Sequence, residues 1–95
     1  MSGDANDRAL NDLIGREVVL DTQASTIVIG RLVRIAADCY VLDDADLHDS
    51  REGHSSKELY VINAKKVGLR PNRRRTYILR HHVLTVSALD DVITD

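Results

Sequence analysis

Apolar residues in the second half of the chain fall into two short runs of the kind found in β-strands. Residues 77–79 form the first run and residues 83–89 the second, and valine, leucine, isoleucine and tyrosine dominate both. β-Branched and aromatic side chains favour extended backbone, and neither run contains glycine or proline. The sequence therefore predicts two strands joined by a tight polar corner at residues 80–82.

The second of these runs is uncharged on both faces. Val83, Thr85 and Ser87 lie on one face, and the leucine, valine and alanine that directly follow each of them lie on the other. Such a strand is typical of one that is covered on two sides. No lysine, proline or inward charge blocks its edge, so we expect a contact between copies of the chain along residues 77–79 and residues 83–89.

The first half of the chain predicts one helix and three further strands. Leucine and isoleucine recur at helical spacing over residues 6–14, and strand-like patterns follow at Glu17–Thr22, Thr26–Ile35 and residues 38–45. Gly30 lies inside the second of these strands, where a glycine usually marks a bend, a bulge or a close backbone approach. A long strand bent at a glycine lets a small sheet curl into a barrel.

Residues 46–74 form an irregular insertion between the third and fourth strands. A capping box at residues 55–58, with serine first and glutamate last, favours a helix over residues 57–68. The Leu-Tyr-Val-Ile run at residues 59–62 is also typical of a strand, so both interpretations stay open. Residues 90–95 form an acidic tail.

Length and composition indicate one globular domain, residues 1–95. The chain has 95 residues, of which 43% are hydrophobic and 29% charged, and it has neither phenylalanine nor tryptophan, so its core must be aliphatic. The single Cys39 excludes an internal disulfide and is typical of a reducing compartment. The N-terminus is polar and no apolar run is long enough to span a membrane, so we expect a soluble, cytoplasmic protein without a membrane partner.

Charge is unevenly distributed along a chain whose net charge is only −2. Residues 38–52 carry six acidic side chains and one arginine, whereas residues 57–82 carry eight lysines and arginines, one glutamate and two histidines. A basic surface of this kind is the electrostatic footprint of a nucleic-acid site. The alternative is that these charges only solvate the surface.

Two motifs resemble those of the Sm-like superfamily, which includes bacterial Hfq. The first begins with Gly30, Leu32 and Ile35 and continues into Val-Leu-Asp-Asp-Ala at residues 41–45. The second, Leu-Arg-His-His-Val-Leu-Thr-Val at residues 79–86, is similar to the Hfq-type second motif, in which Lys-His precedes a β-branched strand. Their order and spacing, together with the N-terminal helix, carry the resemblance.

The resemblance implies an all-β fold with an N-terminal helix, namely a five-stranded, strongly bent Sm-like (SH3-type) barrel. It also implies that copies join by their fourth and fifth strands into a homo-oligomeric ring that binds single-stranded RNA near its pore. Aligned on residues 41–45, the chain has a cysteine where Sm proteins have a base-contacting asparagine; aligned on Asp-x-aromatic instead, Asp38 and Tyr40 match, with a longer turn. A histidine also follows the pore arginine in place of the glycine usual in archaeal and eukaryotic members. The implied RNA-binding residues are Arg80, His81, Asp38, Cys39 and Tyr40.

Each of these residues also has a structural interpretation. Arg80 and His81 either contact a nucleotide or form a salt bridge between subunits. Tyr40 either stacks on a base or fills the core of a protein that lacks phenylalanine. A cluster of three arginines either binds phosphates or is a solvated loop segment. Its members are Arg73, Arg74 and Arg75.

We expect no metal, cofactor or catalytic site. Asp46, His48, Asp49 and His54 lie close together in sequence, but their spacing matches no standard zinc pattern. Cys39 has no histidine at a signature spacing, and no phosphate-binding glycine loop or serine nucleophile motif is present. The alternative to RNA binding is a ring that acts as a scaffold for protein partners, which would dock on the insertion.

Overall fold

The computed structural model describes residues 3–52 and 56–94. Within them, helices and strands follow one another along the chain, with a short 3₁₀ turn on each side of the last strand. The elements are α1 (Gly3–Asn11), β1 (Glu17–Thr22), β2 (Thr26–Ile35), β3 (Cys39–Asp49), α2 (Lys57–Val67), β4 (Arg73–Leu79), a 3₁₀ turn (Arg80–His82), β5 (Val83–Ala88) and a second 3₁₀ turn (Leu89–Asp91).

The strands form one antiparallel sheet in the order β4-β3-β2-β1-β5, so β4 and β5 are its edges. The pairing of β2 with β3 shifts register between Ile29 and Arg31. A Cβ atom on Gly30 would lie 2.8 Å from the Cβ atom of Ala45 and 2.9 Å from its Cα atom. The predicted close approach at Gly30 is therefore confirmed, as is the predicted five-stranded, bent fold with an N-terminal helix.

Buried side chains on one face of the sheet form what we call the inner cluster. Leu20, Leu32 and Leu42 have no exposed surface, and Leu10 and Leu13, in and after α1, pack against them. Alternate residues of a strand point to one face, so these positions face inward together. The buried members are Val18, Leu20, Val28, Leu32, Tyr40, Leu42 and Ala45.

A second group of buried side chains, the outer cluster, lies on the opposite face of β1 and β2, beneath α2. The sheet contributes Val19, Ile27 and Ile29, while Val61 and Ala64 come from α2 and Leu89 from the second 3₁₀ turn. The Nζ atom of Lys57 lies 2.7 Å from Asp21 Oδ1 and 2.6 Å from the carbonyl oxygen of Ala24. These contacts hold α2 against the end of β1.

The insertion contains a helix, which decides between the two interpretations of residues 57–68. Ser56 is the N-cap, and its hydroxyl accepts a hydrogen bond of 3.2 Å from the backbone N–H of Leu59. The cap is thus one residue later than the predicted box, whose first serine lies outside the described residues. Gly68 ends the helix with φ of 94°, a left-handed conformation that favours glycine, and its N–H donates to the carbonyl of Ala64.

Several predicted boundaries were wrong. The first helix covers Gly3–Asn11 rather than residues 6–14, β3 continues to Asp49 rather than ending at residue 45, and β4 begins at Arg73 rather than at residue 77. The ten-residue β2 supplies backbone partners to β3 as far as Asp49, and β3 in turn pairs with Arg73. Because tertiary pairing overrides local propensity, polar residues join both strands and the insertion shrinks to residues 50–72.

The predicted alternation in the last strand was also wrong at one position. Asp21 pairs with Thr85 and Thr22 with Val83, so Leu84 is an extra residue at a bulge and is 62% exposed. Val83 therefore packs on the inner cluster together with Val86. Strand β5 ends at Ala88, and the predicted tail begins inside the second 3₁₀ turn, after which Val92 packs on the outer cluster.

Candidate nucleic-acid interface

The corner between β4 and β5 gathers three turns at one end of the sheet. The backbone N–H of Arg80 donates to the carbonyl of Asp38 over 2.9 Å, and the N–H of Gln23 donates to the carbonyl of His82 over the same distance. The corner thus touches the turn after β1 and the turn after β2. It brings together the predicted site residues Arg80, His81, Asp38, Cys39 and Tyr40.

Arg80 is held within its own chain. Its Nη2 atom lies 2.8 Å from Asp7 Oδ1, and its Nη1 atom donates to the carbonyl of Ala36 over 3.0 Å. The guanidinium carbon also lies 5.3 Å from the ring centre of Tyr40, within cation–π range. The hydrogen bonds that Arg80 donates to the Asp7 carboxylate raise the pKa of Arg80, which stays charged. Arg80 therefore forms an ion pair within its own chain, whereas the sequence suggested one between subunits.

Asp7 is a part of this site that the sequence did not indicate. It lies in α1, 73 residues before Arg80, and its side chain is only 12% exposed, compared with 25% for Arg80. An acidic residue near the start of a helix is usually interpreted as a favourable end charge. Only the packing of α1 against the sheet shows that this carboxylate meets the corner.

His81 and His82 are the exposed aromatic rings of the corner. Their ring centres are 4.2 Å apart and their planes are tilted by 42°. The carbonyl of His81 accepts a long hydrogen bond, 3.4 Å, from Gln23 Nε2. The backbone of the corner is therefore fixed, while both imidazole rings reach solvent and are available for stacking or hydrogen bonding.

The turn before β3 presents three residues with different exposure. Asp38 is exposed, Cys39 is half-buried, and Tyr40 is 6% exposed and belongs to the inner cluster. Tyr40 therefore has the predicted core role, and one face of its ring carries Arg80. Desolvation raises the pKa of the Cys39 thiol, with the carboxylate of Asp38 acting in the same direction, so the thiol is protonated at neutral pH.

The arginine cluster lies at the opposite end of β4 from the corner. Arg73 and Arg80 are seven positions apart along the strand, a span of roughly 23 Å. Arg73, Arg74 and Arg75 are exposed, as predicted, but they belong to a strand rather than a loop. The structure therefore does not bring the cluster to the corner.

Arg75 is already engaged by an acidic side chain of β3. Its Nε atom lies 2.5 Å from Asp43 Oδ1, and Arg31 approaches the same carboxylate at 3.7 Å. The hydrogen bonds that Arg75 donates to Asp43 lower the pKa of the Asp43 carboxyl group and raise the pKa of Arg75. Of the cluster, Arg73 and Arg74 remain without an acidic partner among the described residues.

Of the residues considered as metal ligands, those that the structure describes have other contacts. His48 stacks on Tyr60 with ring centres 4.1 Å apart and planes within 6° of parallel. Asp49 accepts from Ser25 Oγ over 2.7 Å and pairs with Arg51. Across residues 3–52 and 56–94 no group of three metal-ligating side chains occurs, and His54 lies outside them. None of the helices described there is long and apolar enough to cross a membrane.

Comparison with known proteins identifies the fold. No protein-family model matches the sequence, and no curated protein is similar enough to count as a match. Among solved structures, the chain is similar to the Pyrococcus abyssii Sm protein crystallised with a uridine heptamer, with a TM-score of 0.59 and 16% identity over 85% of this chain and 93% of that one.

Two further structures extend this likeness. The P. aerophilum SmAP1 heptamer gives a TM-score of 0.58 and 18% identity over 93% of this chain and 95% of that one. A chain of the NatC complex bound to Gag peptide and CoA gives 0.54 and 23% identity over 82% of this chain and 87% of that one. The chain thus has the Sm-like fold, into which helix α2 is inserted between β3 and β4.

Proposed function

We propose that this chain assembles into a closed homo-oligomeric ring that binds single-stranded RNA at the corner of each subunit. The observation that carries the proposal is that one corner joins both open edges of the sheet. A ring built by pairing β4 of one copy with β5 of the next therefore repeats Arg80 and His81 in every subunit. Head-to-tail contacts of this kind close into rings when the rotation between copies allows it.

The exposed apolar side chains of the two edges support the ring. Tyr77 and Leu79 on β4 are 58% and 46% exposed, and Leu84 on β5 is 62% exposed. Unpaired strand edges with such side chains are templates for pairing with another chain. Solved structures with the same fold include heptamers, one of them the P. aerophilum protein named above.

The chemistry of the corner supports RNA as the ligand. The exposed ring of His81 offers a stacking surface, and Arg80 offers a permanent positive charge that is 25% exposed. Asp38, exposed in the adjacent turn, is a hydrogen-bond acceptor for a base edge. The P. abyssii protein of the same fold was crystallised with a uridine heptamer, and we test uridine-rich RNA first for that reason.

The first experiment measures mass in solution and RNA affinity together. We expect the purified chain to have the mass of a closed ring by light scattering. We also expect it to bind labelled oligo-U or oligo-A, with an affinity that falls steeply as salt is raised, because each neutralised phosphate releases counterions. A ring that binds neither RNA at low salt would overturn RNA binding and leave assembly intact.

A pair of variants separates RNA contact by Arg80 from its structural role. Arg80→Ala removes both the guanidinium and its hold on α1, whereas Asp7→Asn weakens the ion pair but keeps the guanidinium. If Arg80 contacts RNA, only Arg80→Ala lowers the affinity and flattens its salt dependence. Equal effects of the two variants on RNA affinity would assign Arg80 a structural role alone.

His81 and His82 provide a second matched pair. Both rings are exposed and lie on the same turn, but only His81 belongs to the proposed RNA site. His81→Ala is expected to lower RNA affinity by about tenfold or more, as loss of a stacked base contact does. His82→Ala is the control and should bind as the unaltered chain does.

A ring that serves as a protein scaffold is the second candidate. It is favoured by the apolar side chains that α2 exposes, Leu59 at 60% and Val67 at 74%, and by the fold shared with a chain of the NatC complex, which is a protein assembly. Leu59→Glu combined with Val67→Glu should then abolish capture of a specific partner while ring mass and RNA affinity stay unchanged. If capture is unchanged, this face of α2 is not the docking site.

A further inference from the structure

A groove of about 290 Å³ runs between α2 and strand β5 on the outer face of the sheet. Val19 lies in its floor, Ile62 belongs to the α2 wall and Ile93 to the C-terminal segment, while Thr85 and Ser87 supply the wall on β5. Because β5 is an edge strand, the groove lies directly beside an unpaired edge. It is a product of the insertion, since α2 forms one whole side of it.

The opposite edge of the same sheet carries a side chain suited to such a groove. Tyr77 on β4 is 58% exposed, and it alternates with Ile78, which packs on the inner cluster. Tyr77 therefore points to the outer face. Thr85 and Ser87 alternate with Val86 in the same way. The groove and Tyr77 therefore lie on the same face of the sheet, at its two opposite edges.

We propose that the groove receives Tyr77 from the β4 strand of a neighbouring copy. When β4 of one copy continues the sheet beside β5 of the next, the two strands lie about 4.8 Å apart and the outer faces stay continuous. The tyrosine of the incoming strand then lies beside Thr85 and Ser87 and against Ile62. This inference rests on the proposed ring and adds that α2 is part of the contact between subunits.

Charge complementarity supports a second copy as the occupant. Glu58 lines the groove, and Asp90 and Asp91 are exposed at the end of β5; none of the three pairs with a cation among the described residues. Arg73, which lies on the same face of β4 as Tyr77, likewise has no acidic partner there. Each chain thus has unmatched acids beside the groove and an unmatched arginine on the strand face that carries Tyr77, and pairing two copies brings the opposite charges together.

Burial of Tyr77 in the groove is expected to contribute strongly to the association of two subunits. Burying a tyrosine ring removes about 150–250 Å² from water. Buried tyrosines are also among the residues whose loss most weakens protein interfaces. Tyr77→Ser is therefore expected to weaken subunit association by about tenfold or more, whereas Tyr77→Phe, which keeps the ring, should assemble as the unaltered chain does. Because Tyr77 is exposed in the single chain, both variants should fold.

Cysteine cross-linking tests the location directly. In a chain carrying Cys39→Ser, one sample receives Tyr77→Cys and a second receives Ile62→Cys; the two are mixed, dissociated, reassembled and treated with a short bis-maleimide, which bridges two thiols across the space that the tyrosine ring fills. A direct disulfide would need Cα atoms within about 7 Å, closer than a strand and a helix packed on its face. We expect a covalent dimer in the mixture and none in either sample alone. Asn63→Cys in place of Ile62→Cys is the matched control, since Asn63 lines a different cavity of α2 and should give no product.

The outcomes separate this inference from the proposed function. A monomeric mass for the unaltered chain would overturn both the ring and the groove assignment. A ring mass without a cross-link between positions 77 and 62 would overturn the groove assignment and leave the ring proposal standing. A covalent dimer from the Tyr77→Cys sample alone would show that β4 pairs with itself, which contradicts the head-to-tail arrangement.

Discussion

The two faces of the sheet are both buried in part, but by different means. The inner cluster is made by β1, β2 and β3 alone, with side chains of α1 and the edge strands packed around it. The outer cluster exists only because α2 and the C-terminal turn cover β1 and β2, and it leaves the outer sides of β4 and β5 uncovered. The inner face therefore holds the fold together, whereas the outer face decides which surfaces are available to a partner.

The largest expected effect is on the inner face. Leu32→Ala removes a side chain with no exposed surface and leaves a cavity, so the free energy of unfolding should fall by about 2–5 kcal/mol. Leu59→Ala, at an exposed position of α2, is the control and should change it by less than about 0.5 kcal/mol. Urea unfolding measures both values. A similar loss in the two variants would contradict the burial of Leu32 in the inner cluster.

The next effect concerns the close approach of β2 and β3. Gly30→Ala puts a methyl group 2.8 Å from the Cβ atom of Ala45, and the two strands must separate. Overpacking of this kind usually costs about 1–3 kcal/mol. Urea unfolding of the single variant and of Gly30→Ala combined with Ala45→Gly provides the test. The second change should restore part of the loss, and failure to do so would exclude contact with the Ala45 methyl group as the main cause.

A smaller and more local effect is expected on the outer face. Ser56→Ala removes the N-cap of α2 and should cost about 1 kcal/mol, whereas Ser56→Asp keeps a capping oxygen. Hydrogen exchange should speed up in α2 before it changes in β1 to β3, because the inner cluster does not depend on the helix. Uniform acceleration throughout the sheet would mean that the outer cluster is needed for the whole fold.

The smallest effect is a pH dependence at the end of β3. Hydrogen bonds from Arg51 and Ser25 hold the pKa of Asp49 well below its ordinary value. A carboxyl group whose pKa is lower in the folded state stabilises the fold above its unfolded pKa, about 3.9, and this contribution disappears as the pH falls toward the folded value. Unfolding midpoints of Asp49→Asn and the unaltered chain should thus differ at pH 7 and converge in acid; a constant difference would contradict this.

The inner face could be predicted from the sequence because its signal is local. The apolar patterns of β1 and β2, and the glycine within β2, are sufficient to predict a bent sheet. The outer cluster was harder to predict from the sequence. The run at residues 59–62 fits a helix or a strand, and Ser56 favours the helix only when the apolar outer face of β1 and β2 is there to pack against.

The candidate site was predictable in position but not in its contacts. The motif at residues 79–86 located the corner, and the resemblance connected it with the turn at Asp38 and Tyr40. Three features depended on distant pairing: the carboxylate of Asp7 on Arg80, the bulge at Leu84, and the extension of β3 and β4 that separates the arginine cluster from the corner. Contacts of this kind are set by tertiary packing, which no local pattern encodes.

The ion pair between Asp7 and Arg80 has a consequence for the amount of positive charge at the centre of an assembly. Cleavage of the peptide chain just after Asp7 would release the carboxylate that offsets each guanidinium. In the proposed ring, Arg80 of every subunit would then be an uncompensated positive charge. Limited proteolysis of the first helix would thus increase attraction for polyanions in proportion to the number of copies, without altering a single residue of the sheet.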